Sequence, residues 1–338
     1  MRKPLPIALL GLFLLSAIPQ EFPLQYLEDA LCISGDPAQE IYLHRPRDFV
    51  MGNGDTLYVL DTGDSDIKVF RATGEYLFTF SREGHGPGEL SRPRAIDFRN
   101  NTIYVATSDP MQIIEFRTTG QYLRSYRLNQ NPMDLVVSPT HAYVSLFSPT
   151  STVLEVPLSR PDAQRPILTN EFTDYLSSLM ETEARMSMGR CFLALTSEKL
   201  IVANSGISLV AIVDLEDEQR AVSIIDPTST LIDEQWDHNA REFHPNTPRP
   251  IRGKVQSSMF NSVSAWSDTE VLLEIRTGSR ETFRSIAAVF DMTTGFEVGP
   301  RITGPGSSYS NFKFIREDRI GWINSEEASI DIFDWNTR

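Results

Sequence analysis

Short hydrophobic runs, separated by clusters of Gly, Asn, Asp and Ser, recur along most of the chain. The first well-marked group of runs covers residues 47–51, 56–61, 67–71 and 75–80. Runs of this length that are rich in Val, Ile, Leu, Phe and Tyr are typical of β-strands. Asn53-Gly54-Asp55 and Thr73-Gly74, which lie between runs, have the composition of hairpin turns. The pattern therefore predicts four antiparallel strands in this segment.

The same pattern then repeats. Arg45-Pro46-Arg47 recurs as Arg92-Pro93-Arg94. The blocks that begin at Thr56, Ile67 and Ala72 recur at an offset of 46 residues, at Thr102, Ile113 and Thr118. Four strands per repeat of this length are typical of β-propeller blades. A single blade cannot cover both of its faces, so it needs a neighbour on each side.

Four more divergent units follow, and the last of them has only three strand-like runs. We therefore predict an all-β, six-bladed propeller over residues 39–338, with four antiparallel strands in each blade. Residues 40–44 are one spare strand, and we expect this N-terminal strand to complete the C-terminal blade and so remove the open edges. Residues 21–38 are then a lead-in.

Two insertions interrupt the repeat, near residues 168–190 and 226–256. In the first, apolar spacing over residues 170–186 predicts a helix with Asn170 as its N-cap. The second is polar and rich in proline, and it predicts a long loop. Insertions in repeat folds gather on the loop faces, where binding usually occurs.

Residues 1–20 have the features of a secretory signal peptide or an N-terminal anchor. A basic start, Met1-Arg2-Lys3, precedes a twelve-residue apolar run from Ile7 to Ile18. As a helix this run would reach about 18 Å, which is short of the ~30 Å hydrocarbon core of a membrane. Leu15 breaks the small-x-small pattern before Ala17, so cleavage and retention both stay open. We expect a periplasmic or secreted protein.

Charge and cysteine content exclude two classes of function. The formal net charge is −14 and no Lys/Arg-rich run offsets it, which disfavours nucleic-acid binding. Cys32 and Cys191 are the only cysteines. They are too few for a Cys-rich zinc site, and they are equally compatible with one disulfide or with two free thiols.

One segment resembles a known family. Gly84-His85-Gly86-Pro87-Gly88-Glu89, which leads into Arg92-Pro93-Arg94, resembles the blade junction of exported bacterial six-bladed propellers related to NHL repeats. Tyr58-Val59-Leu60-Asp61 followed by Ile67-Lys68-Val69-Phe70 is similar to the core of that repeat. The resemblance is specific over residues 45–130, and it implies a propeller fold, export and a binding role more than any particular activity.

Two arginines are candidate binding residues. Arg47 and Arg94 occupy equivalent positions at the start of inner strands, so the repeat symmetry places both near the mouth of the central channel. There they could bind an anionic ligand, or form ion pairs between blades with Glu89 or a nearby Asp. Met133 occupies this position in the third unit, so a ring of arginines would be incomplete.

Other candidates lie on predicted loops. His85 is a candidate for ligand contact on the glycine-rich loop, although the glycines and Pro87 also suit a purely structural crossing between blades. Trp236 and His238 in the second insertion suit recognition. Asp61, Asp64 and Asp66 hint at a calcium loop, but they lack the Gly and Glu of an EF-hand and also suit turn chemistry.

These features predict a binding scaffold, without a cofactor and as a monomer, for a protein or a small anionic ligand at one loop face and the channel mouth. The alternative is a lactonase- or lyase-type propeller enzyme, in which Asp48, Asp97 and Asp134 hold a divalent cation such as calcium. A third possibility is the sensor part of a larger assembly. No Gly-x-Ser-x-Gly motif supports a hydrolase of the α/β type.

Overall fold

A computed structural model describes residues 22–146, 153–172, 174, 190–206, 208–235, 260–278, 284–304, 309–316 and 319–334. Within these ranges the chain forms six sheets of at least four strands each and one short two-stranded hairpin. The first strand of each sheet contacts the first strand of the next, and the last such strand contacts the first again. The sheets therefore form a closed ring of blades around a central channel, which confirms the predicted six-bladed β-propeller.

The N-terminal segment contains four short strands and one 3₁₀ turn. The strands are Leu24–Tyr26 (β1), Leu31–Ile33 (β2), Gly35–Asp36 (β3) and Ile41–Tyr42 (β4), and the 3₁₀ turn is Pro37–Gln39.

The first two blades follow the predicted strands closely. Blade one is Pro46–Met51 (β5), Thr56–Asp61 (β6), Asp66–Arg71 (β7) and Tyr76–Phe80 (β8), with a 3₁₀ turn at Asn53–Asp55. Blade two is Pro93–Arg99 (β9), Thr102–Ser108 (β10), Met111–Arg117 (β11) and Tyr122–Arg127 (β12). Strands within each blade pair antiparallel, from the inner strand to the outer one.

Blades three and four continue this arrangement. Blade three is Pro132–Val137 (β13), His141–Leu146 (β14), Val153–Pro157 (β15) and Arg165–Leu168 (β16). Blade four is Cys191–Leu195 (β17), Lys199–Asn204 (β18), Leu209–Asp214 (β19) and Val222–Ile225 (β20).

The last two blades each take a strand from the N-terminal segment. Blade five is Phe260–Ala265 (β21), Glu270–Thr277 (β22), Arg284–Asp291 (β23) and Glu297–Thr303 (β24), and β1 adds a fifth, parallel strand to it. Blade six is Tyr309–Arg316 (β25), Arg319–Asn324 (β26) and Ser329–Asp334 (β27), completed by β2.

The closing strand is N-terminal, as predicted, but the segment that we predicted to form it was wrong. Leu31–Ile33 pairs antiparallel with β27, in the register Leu31↔Ile332 to Ile33↔Ile330. Residues Ile41–Tyr42 of the predicted strand instead form a hairpin with Gly35–Asp36. The lead-in over residues 21–38 is therefore part of the propeller.

A tight turn explains this difference. Gly35 has a φ of 142°, and a Cβ there would lie 2.1 Å from the Ile41 carbonyl oxygen. Only glycine allows the two backbones to approach this closely. The hairpin directs residues 41–42 away from blade six, while the buried Ile33 and Leu43 side chains enter the core between blades six and one.

The second insertion also departs from the prediction. Residues 226–256 were predicted as a loop, but residues 230–235 are helical. The Ser229 hydroxyl accepts a hydrogen bond from the Ile232 amide at 3.1 Å, which caps the first turn. Leu231 and Ile232 are buried against blades four and five, and this burial stabilises the helix. Of the helix predicted over residues 170–186, most lies outside the described residues.

Hydrophobic side chains fill the spaces between neighbouring blades. Six clusters account for the described core, and several of them draw residues from two adjacent blades. Each blade is thus covered on both faces by its neighbours. The two thiols are free, with Cys32 exposed and Cys191 buried. In the described part of the chain, no helix is long and apolar enough to cross a membrane.

Candidate functional site

A cavity of about 380 Å³ lies where the inner strands surround the channel. This volume is within the usual range for small-molecule sites. Its charged lining residues are Arg47, Asp48, Arg94, Asp97, Asp134, Arg190 and Lys313. Four cationic side chains thus face three anionic ones, in a chain whose net charge is −14. The cavity lining therefore carries charges of both signs, with one more cation than anions, on an acidic protein.

β-Bulges position the arginines at this cavity. In blade one, Pro46 pairs with Asp61 and Asp48 with Leu60, so Arg47 is an extra residue in the ladder. Arg94 is the extra residue in blade two, between the pairs Pro93↔Thr107 and Ala95↔Ala106. A bulge turns the side chain of its extra residue away from the regular alternation. Arg47 and Arg94 therefore both line the cavity, at the channel position that repeat symmetry predicted.

The corresponding bulges in blades three and five carry uncharged residues. Met133 and Asn261 are the skipped residues there, and both line the cavity. The ring of arginines is thus incomplete, as the sequence indicated for Met133.

A third arginine, Arg190, was missed by the sequence analysis. It directly precedes β17 and lines the cavity, although blade four has no bulge at its inner strand. The Ser205 amide donates a hydrogen bond to the Arg190 carbonyl, as the Ser108 amide does to that of Arg92. An arginine directly before an inner strand, as at Arg92, was the feature of the sequence that could have identified Arg190. The fourth unit is too divergent for the start of its inner strand to be recognised from the repeat.

The guanidinium groups of Arg47 and Arg94 are held by their Nε atoms. Arg47 Nε donates to the Arg94 carbonyl at 2.7 Å, and Arg94 Nε donates to the Ser108 hydroxyl. Among the described residues, neither arginine forms an ion pair, and the Arg190 guanidinium has no hydrogen-bond partner. The predicted pairing with Glu89 does not occur: Glu89 instead pairs with Arg82 at 2.7 Å.

Neighbouring arginines act on Arg47 and Arg94, while Asp48 and Asp134 act on Arg47 in the opposite direction. Burial, followed by the charges of Arg190 and Arg94, lowers the pKa of Arg47. Burial and then Arg190 likewise lower the pKa of Arg94. Because arginine stays protonated in proteins, these directions indicate crowded positive charge and not its loss.

Three carboxylates connect successive blades around the channel. Asp48 accepts from the Ile96 amide at 2.9 Å, Asp97 from the Val137 amide at 2.6 Å, and Asp134 from the Leu193 amide at 2.8 Å. The second oxygen of each side chain accepts the amide of its own following residue at 2.8 Å. Each carboxylate therefore joins one blade to the next.

Among the described residues, Asp48 is the one of these three carboxylates that forms an ion pair. Lys313 Nζ lies 2.5 Å from Asp48 Oδ1 and 3.0 Å from the Phe49 carbonyl oxygen. Burial alone would lower the pKa of Lys313, but Asp48, Asp134 and Asp97 raise it overall. Lys313 is therefore a fixed cation that connects blade six to blade one. No ion pair to Asp97 or Asp134 forms within the described ranges.

The pKa values of Asp97 and Asp134 are unusually high for aspartate. Burial raises the pKa of Asp97 to about 6, and Lys313 only partly offsets this. Burial and then the charge of Asp48 raise the pKa of Asp134 to about 6 as well. Both side chains are half-buried and line the cavity. Their charge therefore changes in the mildly acidic range.

The possible calcium loop formed by Asp61, Asp64 and Asp66 is bound by a lysine. His44, Asp61 and Asp64 bring their ligand atoms within 4.8 Å of one another. Lys68 Nζ, however, lies 3.1 Å from Asp61, 2.6 Å from Asp64 and 2.8 Å from Asp66. The ammonium already supplies the positive charge at this position. Asp61 also accepts the backbone amides of His44, Arg45 and Gly63, which is the turn chemistry considered above.

His85 and Glu89 are not among the residues that line the cavity. His85 is exposed, with Nε2 3.7 Å from Asp109 Oδ1. Glu89 accepts the Gly86 amide at 2.9 Å, and this bond and Arg82 lower the pKa of its carboxyl. Glu89 thus holds the glycine-rich loop in shape. Trp236 and His238 lie outside the described residues.

Comparison with known proteins agrees with the fold. Residues 41–184 match the model of the DUF5128 family, which is described as a 6-bladed beta-propeller. No curated protein matches the chain by sequence.

Several solved structures have the same architecture. A member of the DUF4221 family from Bacteroides vulgatus is 12% identical with a TM-score of 0.62, and the alignment covers 92% of this chain and 97% of that one. A candidate exported protein from Bacteroides fragilis is 10% identical (TM-score 0.55; 92% and 95% covered). A catalytically inactive virginiamycin B lyase from Staphylococcus aureus, solved with quinupristin, is 8% identical (TM-score 0.54; 86% and 95% covered). At these identities the likeness establishes the fold alone.

Proposed function

We propose that this propeller is a binding scaffold that recognises a small anionic ligand at the mouth of its central channel. One observation carries the proposal: Arg47, Arg94 and Arg190 line a single cavity and, among the described residues, none of them forms an ion pair, although Asp48 and Asp134 act on Arg47 from further away. Arg47 and Arg94 are half-buried and Arg190 is exposed, and gathering like charges at such a site is unfavourable unless a counter-charge balances them. An anionic ligand would provide that counter-charge.

The geometry of the arginines suits a carboxylate or a phosphate. Nε of Arg47 and of Arg94 is already used within the protein, which fixes the orientation of both guanidinium planes. The two terminal Nη groups of each remain to donate in parallel to two oxygens of one ligand group. Such bidentate contacts are stronger and more selective than contacts to a single charge.

The enzyme alternative has less support from the side chains. A divalent cation held by Asp48, Asp97 and Asp134 would lie beside the Lys313 ammonium, which is 2.5 Å from Asp48. A binding role at the arginines leaves this ion pair in place.

The binding role is tested by calorimetric titration with inorganic phosphate, succinate and citrate. We expect at least one of these probes to bind the native protein. Arg47→Met and Arg94→Met should each weaken that binding about 10- to 100-fold, the usual effect of losing one charged hydrogen bond. Arg71→Met is the matched control, because Arg71 is half-exposed and pairs with Glu75 outside the cavity lining. If the cavity variants and the control behave alike, the arginines are not the site.

We also propose that the protein acts outside the cytoplasm. The apolar run from Ile7 to Ile18 after a basic start supports this. The Bacteroides fragilis protein of the same fold, described as a candidate exported protein, is consistent with it.

A further inference from the structure

The channel cavity carries a second unpaired charge, of the opposite sign. Asp97 and Asp134 both line it. In the described part of the chain neither forms an ion pair, since Lys313 contacts Asp48 instead. The arginines lie at or before the start of the inner strands, whereas Asp97 lies three residues further along β9 than Arg94. Asp134 directly follows Met133, which occupies the arginine position in blade three, and its charge acts on Arg47. Groups of both signs therefore line one cavity.

A simple anion does not account for this arrangement. Half-buried carboxylates without a cation repel an anionic ligand, and they destabilise the empty cavity as well. A ligand with one anionic and one cationic end would satisfy both sets of groups. Its anionic end would meet Arg47, Arg94 and Arg190, and its cationic end would meet Asp97 and Asp134.

The apolar part of the cavity lining indicates what joins the two ends of such a ligand. Val50, Val136, Phe192 and Val263 also line the cavity. Apolar walls favour a hydrocarbon linker over a polar one, because burying apolar surface is favourable and burying unpaired polar groups is not. The backbone amides next to Asp97 and Asp134 are already bonded to carboxylates.

We infer that the cavity binds a zwitterion, that is, a small molecule with a carboxylate at one end and an ammonium group at the other, such as an amino acid. This inference rests on the proposed anion-binding function and adds the second recognition element, formed by Asp97 and Asp134. The carboxylate binds the arginines, the ammonium donates to the two aspartates, and the apolar walls contact the chain between them.

The test compares ω-amino acids, from glycine to 6-aminohexanoate, with carboxylates of the same length that lack the amine. In calorimetric titration at pH 7.5, one or more amino acids should bind at least tenfold more tightly than the matched carboxylate. Asp97→Asn and Asp134→Asn should remove this advantage and strengthen carboxylate binding, because each removes a negative charge that repels the anion. Arg47→Met should weaken both ligand classes.

A pH series on the native protein gives the same test without any substitution. As the pH falls from 7.5 to 5, Asp97 and Asp134 become protonated through about 6. They then lose their attraction for the ammonium and their repulsion of an anion. Amino-acid affinity should therefore fall while carboxylate affinity rises, when each affinity is expressed per ionised ligand carboxylate.

Each other outcome overturns the inference. If no amino acid binds more tightly than its carboxylate analogue, the aspartates do not recognise an ammonium, although carboxylate binding would still support the arginine site. If both ligand classes follow the same pH dependence, the same conclusion holds. If calcium binds in an Asp97-dependent manner and amino acids do not displace it, the aspartates form a metal site instead.

Discussion

The strand that closes the ring offers a direct measure of how the propeller is held together. Ile33 lies in β2, is 1% exposed, and packs in a cluster that contains Phe49 and Leu57 of blade one and Ile323 and Ile330 of blade six. Ile33→Ala removes three carbon atoms from a site enclosed by two blades. Because the rigid strands on either side cannot collapse into the space, we expect a loss of about 3 kcal/mol in the free energy of unfolding.

Two matched variants separate this burial from general effects on the N-terminal segment. Leu31 belongs to the same three-residue strand but is 37% exposed, so Leu31→Ala should cost less than about 1 kcal/mol. Ile41 lies in the segment that the sequence pattern predicted as the closing strand, and it is only half-buried. Ile41→Ala should therefore cost clearly less than Ile33→Ala.

The assay is equilibrium urea unfolding of the three variants and the native protein, followed by circular dichroism and tryptophan fluorescence. The midpoint and slope together give each change in the free energy of unfolding. If Ile33→Ala costs no more than Leu31→Ala, the pairing of β2 with β27 does not hold the ring closed. If Ile41→Ala is the most damaging change, residues 40–44 are the closing strand after all.

Two further predictions concern the lysine cluster and export. Lys68→Met should destabilise the fold by about 3–5 kcal/mol in the same urea assay, because it leaves the fully buried Asp61 without its cation. The control is Lys199→Met, which removes one hydrogen bond to the Asp268 carbonyl and should lower the free energy of unfolding by less than about 1 kcal/mol. If the two variants lose equal stability, Lys68 does not neutralise the cluster. For export, the full-length chain expressed in a Gram-negative host should fractionate with the periplasm or membrane. A chain that starts at Glu21 should stay in the cytoplasm. If both chains are found in the cytoplasm, the proposed export is wrong.

The sequence determined the repeating part of this protein. Strand propensity and turn chemistry act over a few residues, so the four strands of blade one were predictable to within a residue at most ends. Repeat symmetry then placed Arg47 and Arg94 in equivalent environments, and both line the channel cavity. These features depend on local pattern and on its recurrence.

Contacts between distant segments were decided only by the tertiary structure. Residues 31–33 and 40–44 both contain strand-forming residues, and the choice between them depended on a glycine hairpin and on the fit of Ile33 between two blades. Lys313 reaches Asp48 across 265 positions in the sequence. Arg190 joins the arginines because the ring brings blade four opposite blade one.

The cavity itself shows the same division most clearly. Asp97 and Asp134 were visible in the sequence as possible ligands, but a sequence pattern could not show that Lys313 would form its ion pair with Asp48 and that, among the described residues, the other two carboxylates would form none. Charge pairing in a channel depends on distances and burial, and these exist only once six blades have closed around it.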